Sequence, residues 1–222
     1  PRADVVVITA LMDPERNAVL DLQYNWKSKR FRNDPVGYYF GEIPREDGAI
    51  SIVAASALRK GMPSSAALAA KMVEKFCPKY VVMLGICAGV KDKTQLGDVI
   101  VADPSWDWGS GKLAELKDGS AVFQAAPYQR PLSPILSSIS VELAGNRGLM
   151  TEIRSGWHGK APEGVFNVRV GPMASGAAVL ASNGALDPIT AQNRELLAVE
   201  MEAYAVMAAA DSAKSPAPIA LA

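Results

Sequence analysis

The sequence predicts an α/β fold with a central mixed, mostly parallel sheet that is covered by helices on both faces. Uninterrupted apolar runs rich in β-branched residues, such as residues 5–8 and 80–84, are typical of strands buried on both faces of a parallel sheet. These runs alternate along the chain with segments of helical periodicity, which is the pattern of β-α-β units. No repeat, low-complexity stretch or linker is visible. We therefore expect residues 1–222 to form a single domain.

The individual elements follow from local signals. Asp13-Pro14-Glu15 predicts a helix from Pro14 to about Leu22, because Pro is favoured at the first helical position. Asp47-Gly48 predicts a hairpin between strands at 38–43 and 50–55. Ser64 is expected to cap a helix that ends before Pro78. The other expected elements are strands at 5–8, 80–84, 98–102, 165–170 and the C-terminus, a hairpin within 106–130, and helices near 132–144, 188–197 and 200–211.

The two ends of the chain predict a fragment. There is no initiator Met, and residues 217–222 resemble the opening of a buried strand. We expect the chain to belong to a longer protein and to lack its C-terminal part.

The charge balance excludes several classes of partner. The 23 Lys and Arg residues equal the 23 Asp and Glu residues, so the positive field expected of a nucleic-acid-binding protein is missing. No apolar run approaches the roughly 20 residues that span a bilayer, and residues 1–7 do not resemble a signal peptide. We expect a cytoplasmic protein that binds neither nucleic acid nor membrane.

The cysteine and histidine content argues against a metal site. Cys77, Cys87 and His158 are too few for a zinc site closed by four Cys or His ligands. Both cysteines stand in apolar segments and are expected to be small buried hydrophobes, so a disulfide between them is disfavoured.

Two aromatic and glycine-rich segments have competing interpretations. Gly109-Ser110-Gly111-Lys112 is not a phosphate loop, because Trp106 occupies the position where that motif needs its first Gly. The neighbouring Trp106-Asp107-Trp108 is either an aromatic lid over a ring-shaped substrate or, as we favour, a packed subunit contact. The turn at 85–89 either lets backbone amides approach a ligand or needs Gly for its dihedral angles.

Glu200 and Glu202 are the most informative pair. They stand two residues apart in an alanine-rich, apolar segment, where a carboxylate is seldom buried unless something engages it. One interpretation is a carboxylate that accepts hydrogen bonds from sugar hydroxyls. The other is a pair at a helix N-terminus that is stabilised by the helix dipole.

Taken in order, these motifs resemble the superfamily of purine-nucleoside phosphorylases and methylthioadenosine/S-adenosylhomocysteine nucleosidases. The resemblance runs nearly end to end. It is carried by five segments: Ile8-Thr9-Ala10-Leu11 with Glu15-Arg16, Gly61-Met62-Pro63-Ser64, the turn at 85–90, Gly97-Asp98-Val99-Ile100-Val101, and Val199-Glu200-Met201-Glu202.

The resemblance implies a three-layer αβα fold, a homodimer or a trimer of dimers, no cofactor, and cleavage of the N-glycosidic bond of a purine nucleoside. Met201 would pack on the ribose and Glu202 would accept hydrogen bonds from its hydroxyls. Seven further positions would contact the substrate: Ile86, Cys87, Ala88, Gly89, Ala174, Ser175 and Glu200. A carboxylate on the sugar suits this reaction, because positive charge develops there in the transition state.

The co-substrate is expected to be water rather than phosphate. Related phosphorylases hold phosphate with an Arg and a Ser, but Met83 and Ile86 occupy the matching positions, and apolar side chains cannot clamp an anion. Arg16 resembles another phosphate ligand, although acidic residues flank it. Glu15 resembles the nucleosidase glutamate that orients water and is the candidate general base.

Two departures from the family leave alternatives open. The aromatic that stacks on the purine matches a position near Ala174 and Ser175, so stacking would come from elsewhere, with Trp106, Trp108 and Trp157 as candidates. The general acid, an Asp, would fall just past Ala222. The alternatives to a hydrolase are a phosphorylase, a sensor or effector module that binds a nucleoside or nucleotide without cleaving it, and a purely structural dimer. Asp107, Glu115 and His158 are conceivable contacts that are more often solvated.

Overall fold

The computed structural model describes residues 1–157, 159, 164, 166–178, 184, 186–213 and 216–222. They form two compact units, unit 1 (Pro1–Ile86 and Met201–Ala222) and unit 2 (Cys87–Glu200). The strands are β1 (Val5–Thr9), β2 (Lys27–Arg30), β3 (Gly37–Arg45), β4 (Gly48–Ser56), β5 (Tyr80–Met83), β6 (Ala88–Gly89), β7 (Val99–Asp107), β8 (Gly111–Glu115), β9 (Ala121–Ala125), β10 (Gln129–Arg130), β11 (Val168–Ser175), β12 (Ala198–Glu200) and β13 (Ile219–Leu221). The helices are α1 (Asn17–Leu20), α2 (Met62–Phe76), α3 (Pro134–Gly145), α4 (Arg147–Ser155), α5 (Asp187–Thr190) and α6 (Ala203–Asp211), and a π-helical turn at Met12–Arg16 precedes α1.

Unit 1 contains a six-stranded sheet in the order β13-β5-β1-β4-β3-β2. The pairings from β13 to β4 are parallel, whereas β3 pairs antiparallel with β4 and with β2. Successive residues of β1 enter different clusters: Val6 and Ile8 pack with residues of α2 and α6, and Val7 packs with Val19 of α1. Strand β1 is therefore buried on both faces, as its β-branched run predicts.

Unit 2 contains a five-stranded mixed sheet in the order β10-β7-β11-β12-β6, and β8 and β9 form a separate hairpin. Strand β11 is parallel to β7 and β12, whereas β10 and β6 are antiparallel to their neighbours. Its core cluster consists of Trp106, Ala174, Ile189, Leu196 and Val199. The α/β class with mixed sheets is confirmed. The division of the strands between two sheets was not visible in the sequence, because strand partners depend on long-range contacts.

Most expected elements form, but several boundaries were wrong. Ser64 does not cap α2: the helix begins at Met62 after Gly61, whose φ is +103°, and the Ser64 hydroxyl accepts a hydrogen bond from Arg59 N instead. The strand expected to end at 102 continues to Asp107 and pairs with β11 beyond a register shift. The helix expected at 188–197 is the single turn α5, and α6 starts at Ala203 because residues 198–200 pair with β11. Position 165 of the strand expected at 165–170 lies outside the described residues.

Both cysteines are free thiols, and Cys77 differs from expectation. It is exposed at the end of α2, where it has φ +45°, and it is not a buried hydrophobe. No helix in the described part of the chain is long and apolar enough to cross a membrane.

Candidate active site

Glu15 lies in the turn that follows β1, at the sheet edge where the parallel strands β1, β4 and β5 end. Its Oε2 accepts hydrogen bonds from Ala10 N at 2.9 Å and Leu11 N at 2.8 Å. Its Oε1 accepts one from Ile86 N at 3.0 Å. Three backbone donors therefore fix the carboxylate between the segments that leave β1 and β5. Carboxyl ends of parallel strands are where open α/β sheets bind ligands.

A buried pair of hydroxyl groups supports the turn that carries Glu15. Thr9 ends β1 and Ser56 ends β4, and their Oγ atoms lie 2.9 Å apart. Thr9 also donates to Leu11 O at 3.1 Å, and Arg16 N donates to the same oxygen at 3.2 Å. Side-chain and backbone hydrogen bonds thus both fix the segment that leaves β1, and this segment positions Glu15.

The turn after β5 is glycine-rich because neighbouring side chains approach it closely. A Cβ on Gly85 would lie 3.2 Å from Glu15 Oε1, and a Cβ on Gly89 would overlap the side chain of Thr94. Neither glycine has a positive φ. Close approach, rather than the dihedral requirement weighed from the sequence, therefore accounts for Gly at these two positions.

Glu202 immediately precedes α6 and is only 6% exposed. Its Oε1 accepts a hydrogen bond of 2.5 Å from Gly61 N, at the start of α2. Burial raises the pKa of Glu202 and the charge of Glu15 raises it further, whereas the Gly61 and Met201 N–H groups and Lys60 oppose the rise. Glu202 is therefore a buried, engaged carboxyl group near Glu15.

Two other predicted residues of unit 1 lie beside these carboxyl groups in the chain. Met201 is half-buried, between β12 and α6. The guanidinium carbon of Arg16 lies 5.2 Å from the centre of the Tyr39 ring, and its Nη2 donates to Asn17 Oδ1 at 3.0 Å. Within the described residues, Arg16 Nε is buried and has no hydrogen-bond partner. The arginine is thus packed on β3, and its buried Nε is a donor without an acceptor among the described residues.

The unit 2 residues of the predicted site gather around Glu200. Glu200 ends β12 opposite Ser175 of β11, and the Ser175 hydroxyl donates a short hydrogen bond to Glu200 Oε1. Burial raises the pKa of the Cys87 thiol, and the charge of Glu200 raises it further. Ala88 and Gly89 are exposed on β6, which pairs with β12, whereas Ala174 is fully buried. Glu200 is therefore a strand residue. The interpretation of Glu200 and Glu202 as a pair at a helix N-terminus was wrong for Glu200.

The three tryptophans proposed for stacking differ in their surroundings. Trp106 is fully buried in the core of unit 2, with its Nε1 donating to Gln192 Oε1 at 3.1 Å, so it is neither a lid nor a subunit contact. Trp157 is 62% exposed after α4. Trp108 is half-buried, its N donates to Ser175 O at 3.1 Å, and its indole covers Gly176, where a Cβ would overlap the ring. Trp108 is thus the tryptophan whose ring packs at the Ser175–Gly176 segment.

The remaining candidates take no visible part in the arrangement. Asp107 accepts hydrogen bonds from Gly109 N and the Ser110 hydroxyl, which makes a local turn. Glu115 is exposed at the end of β8. His158 lies outside the described residues. The described residues contain no group of three or more His, Cys, Asp or Glu side chains that could hold a metal ion.

The chain passes from unit 1 to unit 2 between Ile86 and Cys87, and it returns between Glu200 and Met201. Both passages fall inside motifs predicted to contact substrate. Each motif therefore contributes one part to each unit: Ile86 and Met201 to unit 1, and Cys87 and Glu200 to unit 2.

Sequence reasoning missed two partners that define these carboxyl groups. The N–H of Gly61 reaches Glu202 across 141 positions, and the N–H of Ile86 reaches Glu15 across 71. Both contacts use backbone atoms, which carry no residue-specific signal. The available signal was indirect: Gly61 and Ile86 both lie in motifs that the sequence analysis had identified.

Comparison with known proteins identifies the family of the chain. A family model described as the phosphorylase superfamily matches residues 4–221. The protein y4jS of Sinorhizobium fredii, described as uncharacterized, is 34% identical over 219 residues, which are 98% of this chain and 53% of that protein. The ATP nucleosidase Cap17 of Escherichia coli is 26% identical over 202 residues, which are 86% of this chain and 39% of Cap17. The chain thus spans about half or less of the curated relatives it matches.

Solved structures share the fold at low sequence identity. The S-adenosylhomocysteine nucleosidase of Streptococcus pyogenes, in complex with 5-methylthiotubericidin, has a TM-score of 0.71 and 22% identity, covering 99% of this chain and 81% of that one. The 5′-methylthioadenosine/S-adenosylhomocysteine nucleosidase of Colwellia psychrerythraea, in complex with adenine, has a TM-score of 0.70 and 17% identity, covering 100% and 80%. Because the family model spans nearly all of the sequence, the chain belongs to the phosphorylase superfamily.

Proposed function

We propose that the protein hydrolyses the N-glycosidic bond of a purine nucleoside or nucleotide. The observation that carries this proposal is the carboxylate of Glu15, held by three backbone N–H groups at the carboxyl edge of a parallel sheet, near the buried Glu202. A positioned general base and a carboxylate for the sugar are the two groups that this reaction needs from unit 1.

In the proposed reaction, water attacks C1′ of the ribose while the bond from C1′ to the purine nitrogen breaks. Glu15 accepts a proton from the water, and Glu202 accepts hydrogen bonds from the ribose hydroxyls. The hydroxyl bonds strengthen as positive charge develops on the sugar, so Glu202 stabilises the transition state more than the ground state. The purine leaves with its bonding electron pair and takes up a proton, and the products are free base and ribose or its 5′-substituted form.

Hydrolysis is favoured over phosphorolysis by the side chains around the turn after β5. Met83 is buried and Ile86 offers only an apolar side chain, so neither can replace the Arg and Ser of a phosphate clamp. The guanidinium of Arg16 is packed against Tyr39 and bonded to Asn17.

Phosphorolysis is the second candidate, and one observation favours it. Arg16 Nε is buried without an acceptor among the described residues, and a bound phosphate oxygen would satisfy such a donor. Dependence of the reaction on inorganic phosphate separates the two candidates.

We further propose that Trp108 stacks on the purine. Its indole packs on Gly176, next to the Ala174–Ser175 position where nucleosidases resembling this chain carry an aromatic. Cys87 and Glu200 would contact the base edge, and an adenine would suit the names of the similar proteins, which include an ATP nucleosidase and a nucleosidase in complex with adenine.

The resemblance also implies a homodimer or trimer of dimers, which sedimentation of the full-length protein would test.

The test is incubation of the intact, full-length protein with adenosine, methylthioadenosine, inosine, guanosine and adenosine triphosphate, with and without phosphate. Chromatography measures the free base. Release that does not need phosphate supports the hydrolase, and release only with phosphate establishes the phosphorylase instead. Binding by calorimetry without any release would favour a non-catalytic nucleotide-binding module and would remove the catalytic role of Glu15.

A further inference from the structure

The segment between β4 and α2 brings a basic stretch to one of the two carboxyl groups. Gly61 N donates the 2.5 Å hydrogen bond to Glu202 Oε1, and Arg59 and Lys60 directly precede Gly61 in the chain. Glu202 therefore contacts the backbone of Gly61, and the two residues before Gly61 in the chain are both cationic.

Arg59 and Lys60 are both exposed, and within the described chain neither forms an ion pair. Some other cations of unit 1 are paired: Lys71 and Lys75 with Asp34, and Lys79 with Asp4. Lys60 is close enough to Glu202 to lower the pKa of that carboxyl group, although burial outweighs this effect. Two exposed cations that form no ion pair thus directly precede Gly61 in the chain, and Lys60 acts on Glu202.

The start of α2 adds neutral donors there. This 15-residue helix has Gly61 as its N-cap, with no side chain to bond its first turn. The first N–H groups of an α-helix have no acceptor within the helix. The hydroxyl of Ser65, which is fully buried in the same turn, also has no hydrogen-bond partner among the described residues. Free N–H groups, the positive end of a helix dipole and cations together are the usual setting of a bound phosphate.

The chemistry of the ribose connects these donors to one part of the substrate. If Glu202 accepts the 2′ and 3′ hydroxyls, C4′ is the next ring atom after C3′, and C4′ carries the 5′ carbon. The base leaves the diol on the other side, through C1′, and the proposed function assigns it to Cys87, Glu200 and Trp108. The 5′ substituent is then the part of the substrate left to reach the donors that precede Gly61.

We propose that Arg59, Lys60 and the first turn of α2 bind the 5′-phosphate of a purine nucleotide, so that the substrate is a nucleotide rather than an unsubstituted or alkylthio nucleoside. This inference rests on the proposed function, because Glu202 supplies the orientation of the ribose. Free inorganic phosphate has the same chemistry, and the experiment distinguishes the two sources.

The experiment compares adenosine monophosphate with adenosine as substrates of the full-length protein. The variants are the double substitution Arg59→Gln with Lys60→Gln, and the control Lys27→Gln, which removes an exposed charge from β2 at the far edge of the unit 1 sheet. The wild type is expected to have a higher kcat/KM for the monophosphate. The double variant should lower the ratio of the two kcat/KM values by about tenfold or more, as expected for lost charge-assisted hydrogen bonds. The control should keep the wild-type ratio.

Three results would overturn the inference while leaving base release intact. The wild type could cleave adenosine at least as well as the monophosphate, or the double variant could keep the wild-type ratio. Inorganic phosphate could instead accelerate base release from adenosine in the wild type but not in the double variant, which would assign the site to a co-substrate.

If no base is released from either compound, the proposed function fails and calorimetry decides the inference separately. Tighter binding of the monophosphate than of adenosine, lost in the double variant but kept in Lys27→Gln, would support the phosphate site. Equal affinities for the two compounds, or an affinity difference that survives in the double variant, would overturn it.

Discussion

At the scale of single residues, Glu15 allows chemistry to be tested apart from folding. Glu15→Gln keeps the shape of the side chain and an oxygen that can accept from Ala10 or Leu11, but an amide cannot take a proton from water. Base release should fall by about 10²- to 10⁴-fold, the usual contribution of a general base. The matched control is Glu42→Gln, an exposed glutamate of β3 in the same unit. Equal loss of activity in both variants, or unchanged activity in Glu15→Gln, would contradict the assignment.

Glu202 links activity to stability through its protonation. Its pKa is raised in the folded protein, mainly by burial, so the native state binds more protons than the unfolded chain between the ordinary and the raised pKa. Stability therefore falls as pH rises through that window, and the cost of the buried charge is present in full at neutral pH. Accepting hydroxyl hydrogen bonds needs the carboxylate, so activity should fall as pH drops through the raised pKa.

The substitution Glu202→Gln removes that buried charge. The variant should be less active but more thermostable than wild type at neutral pH, and the difference in Tm should shrink as pH falls from the raised pKa to the ordinary pKa of glutamate. Scanning calorimetry at several pH values measures it, with Glu42→Gln as the exposed control. A variant that is less stable than wild type at neutral pH would show that the Gly61 contact outweighs the burial of charge.

Stacking by Trp108 is tested by Trp108→Phe and Trp108→Ala. Phe keeps an aromatic face, whereas Ala removes it, and stacking is worth about 0.5–1.5 kcal/mol beyond the area buried. Trp108→Ala should raise KM for the nucleoside by about tenfold and Trp108→Phe by much less. Trp157→Ala, which changes an exposed tryptophan, is the control. If Trp157→Ala and Trp108→Ala raise KM alike, the base does not stack on Trp108.

At the scale of elements, the start of α2 depends on one glycine. Gly61 has φ +103°, and a Cβ there would meet only Pro63 Cδ at 3.9 Å, so the cost of Gly61→Ala is in the backbone and not in crowding. We expect a loss of about 1 kcal/mol or more in the free energy of unfolding. Gly145→Ala is the control, because its φ is not positive and nothing lies near its Cβ. Denaturant titration measures both, and equal stability of the two variants would refute the backbone argument.

The elements also show which parts of the fold were predictable. The hairpin of β3 and β4 followed from Asp47-Gly48, because a two-residue turn signal acts locally. The N-cap of α2 was misplaced, because Ser64 carries a cap signal while the chain enters the helix through the positive φ of Gly61. The segment at 198–200 has a helix-compatible sequence but forms β12, because pairing with β11 overrides local preference.

At the scale of the whole molecule, alternating strands and helices were enough to predict the α/β class, and motif order was enough to predict the superfamily. The division into two sheets and the backbone contacts to Glu15 and Glu202 were not predictable, because they join residues far apart in the chain. The roles assigned to these residues stay predictions until the variants are measured.

The balanced charge of the chain leads to the last prediction. With 23 basic and 23 acidic residues there is no overall field to attract an anionic substrate, so any effect of salt must come from local cations. If Arg59 and Lys60 hold the 5′-phosphate, kcat/KM for adenosine monophosphate should fall as salt is raised, because exposed charges are screened beyond about 8–10 Å at physiological ionic strength. The value for adenosine should stay nearly constant. The double variant should lose the salt dependence and Lys27→Gln should keep it, whereas a dependence that persists in the double variant would assign it to other charges.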